Sequence, residues 1–171
     1  MDLFFMRHAE AEKRERYPDD HRRPLTAEGH QEQRLVARAL VPVLQPLHHL
    51  LSSPLLRARQ TADLVAEALR FPGQVEETAV LGGDCTVGAV LTLLQGYPRE
   101  ARLLCVGHQP AMSRLAATFL DGEGRSALAF QPGAIVGLTF SGYPTPGRGI
   151  LSLFLRPADV LSLIMRLADR E

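Results

Sequence analysis

Arg7-His8, Arg57 and Gly107-His108 carry the side chains best suited to chemistry in this chain, and each stands at or just beyond the end of a short apolar run. Leu3 to Met6 ends at Arg7-His8. His49-Leu50-Leu51-Ser52 leads into Ser53 and a helical segment with Arg57 in its first turn. Arg102 to Val106 ends at Gly107-His108. In open α/β sheets the ligand sits at the carboxyl ends of the strands, so these two histidines and two arginines are expected to converge on one rim. Burying that much potential positive charge is costly unless an anion shares the site, and arginine's planar fork suits a phosphoryl group. The helix starts after Ser53 and His108 would add backbone N–H donors and positive dipole ends. A phosphate is the expected guest.

The elements that must position these residues read as alternating apolar runs and helix-period segments. This pattern predicts an α/β fold: three layers, α/β/α, around a mainly parallel central sheet with an antiparallel edge strand or hairpin. Thr26 caps a helix through Leu40, and Pro42 and Pro46 are expected to kink or end it. Ser53-Pro54 reads as a hydroxyl cap followed by proline at the first helical position, and Phe71-Pro72-Gly73 stops that helix. Val75 to Thr78 is a short strand, and Val87, Val90, Leu91 and Leu94 have helical spacing. Pro110 opens another helix with Met112, Leu115, Ala116 and Phe119 inward. Ala134 to Phe140 and Gly149 to Leu155 form a hairpin, and Pro157 starts a final helix to Asp169. Asp121 to Gly133 is a loop.

Composition narrows the partners. A length of 171 residues suits one domain over 1–171, and 46% hydrophobic against 22% charged residues argues against a disordered chain. The 19 Lys+Arg balance 19 Asp+Glu, and Glu10 to Arg23 holds five acidic and five basic side chains that cancel, which reads as a solvated loop and no nucleic-acid surface. Cys85 and Cys105 form no CxxC pair and suit a reducing cytoplasm. No run approaches the ~20 apolar residues of a membrane span, and the first residues lack the pattern of a signal peptide. His21, His30, His48 and His49 have no metal-ligand spacing, so no metal site is expected. Glu10 and Glu12 read as loop carboxylates. Arg59, two positions along the helix from Arg57, is expected to face elsewhere.

Met6-Arg7-His8-Ala9-Glu10 resembles the N-terminal Arg-His-Gly signature of the histidine phosphatase superfamily, with Ala9 in place of the glycine. Ser52-Ser53-Pro54-Leu55-Leu56-Arg57-Ala58-Arg59-Gln60-Thr61 resembles its second-arginine motif, and Val106-Gly107-His108-Gln109-Pro110 supplies the second histidine. The small Ala9 and the Arg23-Pro24-Leu25-Thr26 segment with Gly29 are most similar to the short SixA-like phosphohistidine phosphatase subgroup. The resemblance covers nearly the whole chain. It implies that His8 is the nucleophile and that Arg7, Arg57 and His108 hold the phosphoryl oxygens, without cofactor or metal. Gln109 and Arg23 are further substrate-binding candidates at the rim.

Larger relatives take a carboxylic general acid from the region between the second arginine and the second histidine. Here the candidates are Glu76, Glu77 and Asp84. A protonated imidazole leaves as a neutral amine and needs no such acid, so the substrate expected is phosphohistidine in a protein. Two alternatives stay open: a phosphomonoesterase acting on a small phosphorylated metabolite, and a phosphate- or phosphoprotein-binding module with little turnover. The presence of His8, both arginines and His108 speaks against the second of these.

Overall fold

A computed structural model describes residues 1–168. Its six-stranded sheet has the order β3-β2-β4-β1-β5-β6, with β1 Asp2–Arg7, β2 His49–Ser52, β3 Val75–Glu77, β4 Arg102–Gly107, β5 Ile135–Thr139 and β6 Ile150–Leu155. The first four strands named in that order run parallel. β5 is antiparallel to β1, and β6 is antiparallel to β5, so the hairpin closes one edge.

β1 shows why both faces must be covered. Leu3 and Phe5 point into one apolar cluster with Met112, Leu115 and Phe119 of α4 Ala111–Asp121 and Val90 and Leu94 of α3 Val87–Leu94. Phe4 and Met6 point into the other, with Val36, Leu40 and Leu44 of α1 Ala27–Leu44, Ala58, Ala62 and Val65 of α2 Leu56–Leu69, and Val160 of α5 Pro157–Ala168. Strict alternation of apolar side chains to two helical layers explains the unbroken hydrophobic run. The expected end of α5, Asp169, lies outside the described residues.

Two helix boundaries differ from the sequence reading. α1 does not end near Leu40 but continues through Pro42 to Leu44. Proline there forfeits only the bond to the Arg38 carbonyl, in the helix's last turns, while Leu40 and Leu44 bury one turn apart, and Arg102 Nη2 donates to the Val43 carbonyl at 2.7 Å. α2 does not start at Ser53-Pro54 but at Leu56, after an extended Leu55. The Ser53 hydroxyl, expected as its cap, accepts from Leu55 N at 3.3 Å and turns its other bond to the site.

Parallel register brings three strand ends level. Arg7 pairs with Gly107 and Ser52 with Val106, and the His8 N–H donates to the Gly107 carbonyl at 3.0 Å. A Cβ on Gly107 would lie 2.7 Å from Met112 Cε and 3.3 Å from the Leu81 carbonyl oxygen, so the end of the Met112 side chain on α4 packs closely over the strand end that leads to His108.

Candidate active site

His8, Arg57 and His108 are each buried at this rim, although all three are polar. Together with Arg7, Glu10, Ala11, Arg23, Gln109 and Pro132 they line a cleft of about 220 Å³. The four residues singled out for chemistry therefore meet in one place, and the two rim candidates, Arg23 and Gln109, border it.

The protonation of His8 follows from its neighbours. Its Nδ1 lies 2.7 Å from the Ala9 carbonyl, which can only accept, so Nδ1 carries the hydrogen. Arg57 Nε, which can only donate, lies 3.3 Å from Nε2, so Nε2 presents its lone pair. Burial, reinforced by His108, Arg57 and Arg7 and only partly opposed by the bond to Ala9, pushes the imidazole from 6.5 down to about 3. His8 is neutral at physiological pH, with its free lone pair facing a guanidinium.

His108 is held from the opposite wall. Its ring lies 5.2 Å from that of His8, its Nε2 is 2.8 Å from Ser53 Oγ, and its buried Nδ1 has no protein partner. Burial first, then the charge of Arg57, pushes it down to about 4, while Asp20 acts in the other direction. Arg7 donates from Nη1 to the Phe130 carbonyl at 2.9 Å, but its buried Nε is unpartnered. Burial lowers the pKa of both Arg7 and Arg57 from the usual arginine value. A buried donor, Arg7 Nε, and a buried ring nitrogen, His108 Nδ1, both without protein partners among cations destabilised by burial, form a site that an oxyanion would complete.

Reading Glu10 to Arg23 as a solvated loop is correct only in part. Its charges do not merely cancel in solvent: Asp20, in the 3-10 turn Asp20–Arg22, reaches back to the site. Its backbone carbonyl accepts from Arg57 Nη1 at 2.9 Å, its Oδ2 accepts from Arg57 Nη2 at 3.0 Å, and its Oδ1 accepts from Arg23 Nε at 2.8 Å. The segment is tied down where Ala11 bridges Leu25, where Glu12 N donates to the Pro24 carbonyl, and where Arg23 Nη1 donates to the Glu12 carbonyl. Gly29 belongs to the same fastening, since a Cβ there would lie 2.2 Å from the Glu10 carbonyl oxygen.

Sequence reasoning missed Asp20, whose signal was the Asp-x-x-Arg spacing to Arg23 that one tight turn brings together. It also missed Thr61, whose Oγ1 accepts from the Ala9 N–H at 3.1 Å and donates to the Arg57 carbonyl at 2.7 Å, coupling the two motifs. The Gln109 side chain accepts from Ser113 N at 3.1 Å, capping α4. Arg59 does face elsewhere, paired with Asp63 and Glu77.

None of the three acid candidates lines the cleft. Glu76 is bonded to Tyr97 and near His49, Glu77 is paired with Arg59, and Asp84 is exposed beyond β3. The cleft's carboxylate is Glu10, exposed at its mouth. The remaining histidines stand apart from the cleft: His48 Nδ1 accepts from Arg102 N at the far end of β2, and neither His21 nor His30 lines the cleft. Burial pushes the Cys85 and Cys105 thiols up, to about 11 and about 12, so neither is a thiolate nucleophile. Among the described residues no group of three or more His, Cys, Asp or Glu is arranged to hold a metal ion, and no helix is long and apolar enough to cross a membrane.

Comparison with known proteins agrees with this geometry. Residues 3–80 match the histidine phosphatase superfamily (branch 1). The chain is 37% identical over 141 residues to an uncharacterised protein of Picosynechococcus, covering 81% of this chain and 84% of that one. It is 35% identical over 125 residues to the phosphohistidine phosphatase SixA of Escherichia coli, covering 72% and 76%. The solved structure of the protein histidine phosphatase SixA complexed with tungstate superposes with a TM-score of 0.82 at 31% identity, covering 94% of this chain and 99% of that one. The motifs around His8, Arg57 and His108, the sheet that levels them and these relatives agree: the chain belongs to the histidine phosphatase superfamily.

Proposed function

We propose that this chain is a phosphohistidine phosphatase that works through a covalent phosphohistidine at His8. The observation that carries the reading is the fixed tautomer of His8, with Nδ1 bound to the Ala9 carbonyl and the lone pair of Nε2 directed into the arginine cluster. Nε2 attacks phosphorus as the P–N bond to the substrate imidazole breaks. That imidazole, protonated on its other nitrogen, departs as a neutral base. His8, phosphorylated on Nε2 and still carrying Nδ1–H, is then a good leaving group toward water. Hydrolysis returns it to its starting tautomer, and the water's proton departs with phosphate.

Arg7, Arg57 and His108 receive the phosphoryl oxygens. Arg7 Nε and His108 Nδ1 are both buried without protein partners; Arg7 Nε is a donor at hand, and His108 Nδ1 is a second one in the tautomer in which the Ser53 hydroxyl donates to Nε2. Arg23 and the backbone of Gln109 border the substrate's approach. Tungstate, the ligand of the SixA structure, is a tetrahedral oxyanion like phosphate. The natural substrate in this reading is a cytoplasmic phosphoprotein.

A second reading, hydrolysis of small phosphomonoesters, is favoured by one feature: Glu10 is a carboxyl group at the cleft mouth that could protonate an ester oxygen. Turnover of a labelled phosphohistidine peptide and of an alkyl phosphate by wild type and Glu10→Gln separates the two. The first reading expects faster peptide turnover that survives the substitution. Faster turnover of the alkyl ester, abolished by the substitution, would establish the second.

A further inference from the structure

We infer that Asp20 is a positioning residue of the phosphoryl site, which fixes the Arg57 guanidinium and, as an anion already on the arginine cluster, limits how tightly product phosphate is held. The inference rests on reading Arg57 as a phosphoryl ligand.

The geometric half of the argument is the pair of contacts from one residue to one guanidinium. The Asp20 carbonyl takes Nη1 and its Oδ2 takes Nη2, at 2.9 and 3.0 Å. Two acceptors on two terminal nitrogens fix both the plane and the rotation of the group, and this leaves Nε turned to His8 Nε2. An arginine lacking this clamp would keep its charge but not its aim. Asp20 itself is held on its other side by Arg23 Nε at 2.8 Å, and its turn is capped by Asp19 Oδ1, which accepts from His21 N at 3.0 Å.

The electrostatic half concerns charge count. One carboxylate, with a side chain 19% exposed, meets Arg57, Arg23 and, at 3.4 Å, Arg14. A phosphate entering the cleft therefore meets two arginines that already have an anionic partner, and it approaches a negative charge. Both effects weaken its binding. A phosphatase must release phosphate before its next cycle, so a resident carboxylate at this position favours turnover.

These two effects have opposite signs when Asp20 is removed, and a merely structural role would not separate them. The experiment measures kcat and KM for an aryl phosphate, together with the competitive inhibition constant of inorganic phosphate, for wild type, Asp20→Ala and Asp20→Asn. Calorimetric binding of phosphate to His8→Ala with and without Asp20→Ala isolates binding from turnover. Asp20→Ala is expected to lower kcat about tenfold, as loss of a supporting partner commonly does, while phosphate binds roughly fivefold tighter. Asparagine keeps one acceptor but no charge, so Asp20→Asn is expected to retain more kcat while still binding phosphate more tightly. Unchanged kcat, or phosphate binding that is unchanged or weaker in folded Asp20 variants, would overturn the inference. If wild type itself turns over substrate but is not inhibited by phosphate, the fault lies in the assignment of Arg57 to the phosphoryl site.

Discussion

Arg57 donates its Nε–H to His8 Nε2 across 3.3 Å, so the proposed nucleophile and the proposed phosphoryl ligand are hydrogen-bonded to each other. In the proposed mechanism one atom of His8 serves first as acceptor for a cation and then as attacker of phosphorus. As phosphorus approaches, Arg57 gives up this bond, and its N–H is already beside the oxygens that the phosphoryl group brings.

The phosphoenzyme should form on this nitrogen. Brief incubation with a labelled substrate and mass spectrometry should find an acid-labile, base-stable phosphate on His8, absent in His8→Ala and unaffected by EDTA, because arginines supply the charge a divalent ion would otherwise bring. Label on a serine or cysteine, or loss of turnover on chelation that a divalent ion restores, would refute the mechanism.

Arg57→Lys should be severely impaired although charge is kept. Lysine cannot span Asp20's two acceptors and His8 at once, and loss of a transition-state donor costs about 3 kcal/mol, on the order of a hundredfold in kcat. Arg59→Lys, on a side chain paired with exposed Asp63 and Glu77, should stay near wild type. Steady-state kinetics on one aryl phosphate gives the comparison; equal losses would mean that the wrong arginine has been placed in the site.

Acid should destabilise the fold through the two buried histidines. His8 and His108 titrate at about 3 and about 4 when folded, against 6.5 for a free imidazole. Below pH 6.5 the unfolded chain therefore binds protons that the folded one refuses, so their contribution is complete above that pH and is lost as pH falls toward the folded values. At about pH 5 the loss is on the order of 2 kcal/mol per histidine. Urea unfolding of wild type and His8→Ala at about pH 7.5 and about pH 5 should show a smaller acid loss in the variant. NMR titration of the His8 ring should show the Nδ1–H form; a midpoint above 6 would contradict both arguments.

Thr61→Val tests the link between the two motifs. Valine preserves shape but leaves the Ala9 N–H without its acceptor, a buried donor whose cost is about 1–3 kcal/mol. Since Thr61 also bonds the Arg57 carbonyl, kcat should fall along with stability. A variant as stable and active as wild type would show that the bond carries neither.

The strands and the residues closing them were legible because a buried parallel strand leaves an unbroken apolar run, and Arg and His at its end have no packing reason to be there. Boundaries were less so. Pro42 lies in α1 because tertiary burial of Leu40 and Leu44 outweighs one lost backbone bond, and Ser53 reads as a cap because nothing in the sequence says that its hydroxyl meets His108. Asp20 was hidden for a different reason: its contacts with Arg57 cross 37 positions through a 3-10 turn that has no periodicity to read.

The central place of β1 gives the site two lifetimes. Bonded to β4 on one side and β5 on the other, β1 can open only when the whole sheet does, so its amides should exchange with deuterium on the timescale of global unfolding. The turn that carries Asp20 has two backbone bonds of its own, Arg22 N to the Asp19 carbonyl and Arg23 N to the Asp20 carbonyl, the latter stretched to 3.4 Å, and otherwise rests on contacts made by the side chains of Asp19, Asp20, Arg23 and Arg57. Mild heat or denaturant would therefore first loosen the arginine clamp while His8 is still in place, so activity would fade before any loss of sheet structure is visible.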